Sequence, residues 1–159
     1  MAKTALQFLH NGREIAIFVD GGVNLLAALR DLVGDMTPKF GCGQGGCGAC
    51  TVLIDGEPHL SCLTLAQSVE GRSVETLDSL KDGPKLHPLQ VAFMEHFAAQ
   101  CGYCTPGMLM AAKGLLDRNP SPTRAEVVEA ISGNICRCTG YEPIINAVLA
   151  AASGGRARA

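Results

Sequence analysis

Eight cysteines hold most of the chemistry this chain could perform, and they fall into two sets of four. The first set is Cys42-x4-Cys47-x2-Cys50, with Cys62 following after eleven intervening residues; the second is Cys101-x2-Cys104 with Cys136-x-Cys138. Four thiolates complete the ligand set of an iron–sulfur cluster. The first spacing is that of a plant-type [2Fe–2S] site, in which one loop presents three sulfurs and a later segment supplies the fourth. Four thiolates also suit a structural zinc ion, and for the second set the cysteine count leaves zinc and iron–sulfur both open.

The loop around the first three cysteines, Gly41-Cys42-Gly43-Gln44-Gly45-Gly46-Cys47-Gly48-Ala49-Cys50, has five glycines in ten residues. Backbone wrapped closely around an inorganic core needs positive φ angles and space that a Cβ would occupy. The same wrapping turns N–H groups toward the sulfurs and raises the reduction potential. Glycine-rich loops also cradle phosphates, but no Gly-Lys-Ser/Thr element follows, and a nucleotide loop leaves three cysteines unexplained. In the second set, Cys104-Thr105-Pro106-Gly107 and Cys138-Thr139-Gly140-Tyr141 are similar phrases, each placed before an expected helix. Two helix N-termini would then turn their positive ends toward one thiolate site, and ligand softness favours iron–sulfur there.

The elements that must position these loops differ between the two halves. Thr4 to His10 and Arg13 to Asp20 alternate apolar and polar residues around Asn11-Gly12, a strong hairpin turn. Leu25, Leu26, Leu29, Leu32 and Val33 recur at helical spacing after Asn24, with Gly34 placed to stop the helix. Thr51 to Ile54 and Glu57 to Leu60 flank Asp55-Gly56, a second hairpin that returns Cys62 toward the loop, and Val74 to Leu77 adds a short last strand. Asp78 to Pro88 reads as a linker. Beyond it the periodicity is helical: Leu89, Phe93 and Phe97 on one face; Met108, Ala112 and Leu115 after Thr105-Pro106; Val127, Val128 and Ile131 after the capping box Thr123 to Glu126; then Ile144, Ile145, Val148 and Leu149. The expectation is an α+β chain. A ferredoxin-like (β-grasp) domain spans residues 1–78, a linker 79–88, an all-α four-helix domain 89–152, and a disordered tail 153–159.

Composition narrows the function. Thirteen basic against fifteen acidic residues leave a formal charge of −2, without the basic footprint of nucleic-acid binding. No apolar run is long enough to span a bilayer, and the first residues lack the apolar core of a signal peptide, so a cytoplasmic protein is expected. In that compartment thiols stay reduced, and eight cysteines argue for metal rather than disulfides. A hydrophobic content of 47% with 18% charged residues suggests a surface partly covered by other subunits. His10, His59, His87 and His96 are not paired at ligand spacing and read as ordinary surface or interface residues. Met108 and Met110 read as core, and Tyr103 and Tyr141 as shields that keep water from a cluster rather than as electron relays.

Three phrases together resemble the small iron–sulfur subunit of the molybdenum hydroxylases, the xanthine dehydrogenase and aldehyde oxidoreductase family. They are CGQGGCGACTV at Cys42 to Val52, QCGYCTPGM at Gln100 to Met108 and GNICRCTGY at Gly133 to Tyr141, in the family's order. The resemblance implies [2Fe–2S] clusters on Cys42, Cys47, Cys50 and Cys62 and on Cys101, Cys104, Cys136 and Cys138. It further implies that the second cluster lies beside the molybdopterin of a large subunit, with Gln100 hydrogen-bonded to the pterin and Cys138 the ligand nearest its amino group. Electrons would leave one at a time through both clusters to FAD on a medium subunit. The assembly would be a heterotrimer or a dimer of heterotrimers, and this chain would be an oxidoreductase subunit with no substrate site of its own. The Cys42 to Cys47 loop is closer to xanthine and heterocycle dehydrogenase loops than to that of CO dehydrogenase, although Gln44 stands where the former often have Glu. Two rival readings are a zinc-binding interaction module and a free ferredoxin-like shuttle.

Overall fold

The computed structural model describes residues 3–156. In the first half, β1 (Thr4–His10) and β2 (Arg13–Val19) form the expected hairpin, with Asn11 and Gly12 both at positive φ as a two-residue turn requires. A helix follows: one α turn, α1 (Leu25–Ala27), runs into a π-helical turn over Ala28–Val33. Asn24 caps its start by accepting the Ala27 N–H, and Gly34 ends it in the left-handed conformation. The second hairpin is β3 (Thr51–Ile54) and β4 (Glu57–Leu60), and the last strand, β5 (Ser73–Glu75), starts one residue earlier than its apolar pattern suggests.

These strands make one sheet in the order β2-β1-β5-β3-β4, with β5 parallel to β1 and antiparallel to β3. Its inner face carries Leu6, Phe8, Val52, Ile54 and Val74, which bury against Leu25, Ala28 and Leu29 of the helix. β3 is buried on both faces because its other side meets the helical half, where Leu53 joins the helical core. That shared strand welds the halves.

The described residues contain five α-helices, four of them after residue 87: α2 (Pro88–Glu95), α3 (Thr105–Arg118), α4 (Arg124–Ile131) and α5 (Glu142–Arg156). His87 caps α2 by accepting the Leu89 N–H, while Gln90 bonds back to the His87 N–H. Thr123 and Glu126 form the capping box read from sequence at α4. α3 is buried over most of its length, with Met108 and Met110 in the core as expected.

Four expectations need correction. The stretch read as a linker is structured: Leu77–Leu80 is a 3-10 turn whose Leu80 enters the helical core, and Asp82 and Lys85 bridge before α2. Phe97 does not extend the buried face of α2. The helix stops at Glu95, and Phe97 takes a left-handed φ of 53° while the Ala98 N–H closes onto the Phe93 carbonyl. The tail expected to be disordered from residue 153 is helical through Arg156, because Ala151 and Ala152 still pack; the remainder of that expectation lies outside the described residues. His10 is not a surface residue, since its ring sits half-buried against Asp35.

Candidate metal centres

The first loop brings its thiols together in twos. Gly43, Gly45 and Gly48 all have positive φ, and this folds the chain so that Cys42 and Cys47 face one another. The Gln44 N–H points at the Cys42 sulfur from 3.5 Å. That N–H, the Cys47 side chain, and the Cys47 and Gly46 N–H groups lower the Cys42 thiol to about 7, favouring the thiolate that binds metal. A Cβ at Gly41 would stand 2.7 Å from the Cys47 sulfur, so the glycine leaves the space the sulfur needs. The second hairpin turns the chain back and sets Cys62 against Cys50, with the Ser61 hydroxyl donating to the Cys50 carbonyl at 2.7 Å. Burial, and the facing Cys62, push the Cys50 thiol up.

The second set also resolves into twos, Cys101 with Cys138 and Cys104 with Cys136. Burial and the Cys136 thiol raise Cys104 to about 12. Burial alone would raise Cys136 as well. The Thr139 hydroxyl at 3.1 Å and the Thr139 N–H at 3.4 Å outweigh it and lower the thiol. Cys104 is the N-cap residue immediately before α3, whereas α5 starts only at Glu142, after a turn in which Gly140 and Tyr141 both have positive φ. One helix N-terminus therefore abuts the site directly, and the second stands one turn away.

Each facing pair offers the two thiolates that one iron of a [2Fe–2S] cluster would take.

The two sets are neighbours. The Ile135 N–H donates to the Cys47 carbonyl at 2.9 Å, and the Asn134 side-chain amide donates to the Gly48 carbonyl at 2.8 Å and to the Thr51 hydroxyl at 3.2 Å. Asn134 is 5% exposed. The Tyr103 hydroxyl donates to the Phe40 carbonyl at 2.5 Å, joining the Cys101 to Cys104 turn to the residue before Gly41. Tyr103 is half-exposed, so its shielding is partial and its bond to the loop is its clearer role. The Tyr141 hydroxyl accepts the Cys136 N–H at 3.0 Å.

A family model described as "2Fe-2S iron-sulfur cluster binding domain" matches residues 8–76, and one described as "[2Fe-2S] binding domain" matches residues 74–149. The chain is 53% identical over 139 residues to the nicotine 6-hydroxylase small subunit of Paenarthrobacter nicotinovorans, covering 87% of this chain and 84% of the relative. It is 44% identical over 148 residues to the nicotinate dehydrogenase small FeS subunit of Eubacterium barkeri, covering 93% and 94%. The chain belongs to the small iron–sulfur subunits of the molybdenum hydroxylase family.

A solved structure of quinoline 2-oxidoreductase from Pseudomonas putida 86 matches this small subunit with a TM-score of 0.93 at 48% identity, covering 98% of both chains. The small subunit is thus a two-cluster electron-transfer component of an oxidoreductase, built from a β-grasp and a helical [2Fe–2S] domain. Cys101, Cys138 and Gln100 are exposed, while Cys50, Cys62 and Cys136 are buried. Among the described residues no helix is long and apolar enough to cross a membrane. Asn134, Ile135 and Gly107 were given no role from sequence. Their signal was their place inside the quoted phrases, but their partners lie far away along the chain.

Proposed function

We propose that Cys42, Cys47, Cys50 and Cys62 hold one [2Fe–2S] cluster, that Cys101, Cys104, Cys136 and Cys138 hold the other, and that electrons pass between them across the Ile135 to Cys47 hydrogen bond. The pairing of the thiolates carries this reading. Each cluster supplies the capacity to take up and release a single electron. The helical-domain set presents Cys101 and Cys138 at the surface beside Gln100, which suits it to face the molybdopterin of a large subunit. Gln100 offers an amide donor and acceptor to the pterin, and Cys138 is the ligand nearest it. From Cys136 the route runs one residue to Ile135, through its N–H to the Cys47 carbonyl, and so to the ferredoxin-type set. A FAD-bearing medium subunit is the acceptor, in a cytoplasmic heterotrimer or a dimer of heterotrimers.

The named relatives act on nicotine, nicotinate and quinoline, and we extend this to a nitrogen heteroaromatic substrate for the present enzyme. The overall reaction converts a ring C–H and water into C–OH, two protons and two electrons, and the small subunit conducts the electrons in single steps.

The test is EPR of dithionite-reduced complex from its native host, with metal analysis of the same sample. Two distinct spin-half signals, about four irons per small subunit by ligand count and copurifying molybdenum are expected. Zinc with no reduced-state signal would overturn the reading.

A further inference from the structure

An apolar groove of about 420 Å³ lies between the C-terminal end of α2 and the start of α3, lined by Leu86, Phe93, Met94, Phe97, Thr105 and Leu109. Two features of it are unfavourable in the isolated subunit. Phe97 is 81% exposed and sits at a φ of 53°, a left-handed conformation that is strained for a bulky side chain. Met94 beside it is 67% exposed. The Thr105 hydroxyl is buried yet has no hydrogen-bond partner among the described residues, where almost every other buried side-chain polar atom has one.

Both features make sense if the groove is filled. Exposed aromatic anchors beside a polar group awaiting a partner are the anatomy of an interface hot spot. We propose that this groove receives an apolar segment of the large partner subunit, clamped by Phe97 and Met94 and hydrogen-bonded at Thr105. The groove borders the exposed thiolate edge: Ala99, also in its lining, leads into Gln100 and Cys101, and Thr105 follows Cys104. That edge must face an electron donor. A second copy of this chain seated there would bring none, whereas the large subunit does. The inference therefore rests on the electron-transfer reading above.

The test uses the assembled enzyme. Small-subunit variants Phe97→Asn and Thr105→Val are coexpressed with wild-type partners, captured through a tag on the large subunit, and followed on dilution. Asn tolerates the left-handed backbone, so Phe97→Asn removes the anchor and relieves the strain. Each variant should weaken retention of the small subunit at least about tenfold while keeping both spin-half signals. Phe18→Asn, which removes an exposed aromatic side chain of β2 outside the groove, should leave retention unchanged. If the wild type is retained and the groove variants are retained equally, the groove is not the docking site and the electron-transfer reading stands. If the wild type is not retained, both fall. A variant that loses its iron is replaced by Met94→Gln at an exposed position, whose retention decides in the same way. Dimerisation of the small subunit that Phe97→Asn abolishes would identify a second copy as the occupant and overturn the proposal.

Discussion

A Cβ on Gly107 would collide with the carbonyl oxygen of Gly48, so the first turn of α3 and the ferredoxin-type loop touch backbone to backbone. The obstacle is main chain, held on the other side by the amide of Asn134, and it cannot swing aside. This contact keeps the two cysteine loops at the separation where the Ile135 N–H reaches the Cys47 carbonyl.

Gly107→Ala is therefore expected to destabilise the subunit by about 1–3 kcal/mol as overpacking, although alanine in a helix normally gains roughly 1 kcal/mol over glycine. Urea denaturation gives the sign directly. In stopped-flow reoxidation the same variant should slow electron passage between clusters. A gain in stability would show that the seam yields.

Asp35 is 7% exposed and accepts hydrogen bonds from Thr37, Thr76 and the His10 ring. Burial alone would raise its carboxyl; the His10, Thr76 and Thr37 bonds prevail and hold it well below the usual carboxylate range. Near pH 4 the unfolded chain then binds this proton more readily than the folded one, so stability rises with pH. The contribution is complete above the ordinary carboxylate pKa and drains away as pH falls toward the folded value. Asp35→Asn should cost about 1.5–3 kcal/mol at neutral pH and flatten the acid limb. Comparing denaturation midpoints of the two proteins from neutral to acid pH cancels the acid loss of iron common to both. Parallel limbs would show that Asp35 does not set the slope.

The two sets of four thiolates are separable by substitution. Cys50→Ser should abolish one EPR signal and Cys136→Ser the other, each lowering iron from about four to about two per chain. If either variant lost neither iron nor signal, the ligand assignment would fail at that position.

Gln44 is exposed, and its N–H faces the Cys42 sulfur. Gln44→Glu places a negative charge beside the first thiolate pair and disfavours the added electron. EPR-monitored redox titration should find the ferredoxin-type potential lowered and the other unmoved, with the shift shrinking at high salt. An unchanged or raised potential would defeat this.

The features that sequence alone determined are local. Asn11-Gly12 and Asp55-Gly56 specify their hairpins and Thr123 with Glu126 specifies a helix start because the interacting groups lie within a few residues. The Cys42-x4-Cys47-x2-Cys50 spacing points to a plant-type [2Fe–2S] loop for the same reason, because ligand geometry around a small cluster restricts how far apart neighbouring thiolates can sit, whereas the spacing of the second set suits zinc and iron–sulfur alike. Tertiary structure decided everything that depends on distant residues meeting. It set which thiol faces which in the second set, and it joined His10 to Asp35. It also brought Asn134 to Gly48, turned Phe97 outward rather than inward, and carried α5 on to Arg156. Periodicity places Phe97 on a buried face only if α2 continues, and whether it continues is settled by the close of the Ala98 N–H onto Phe93 and by the packing around it. Such contacts cost chain entropy that only the completed core offsets.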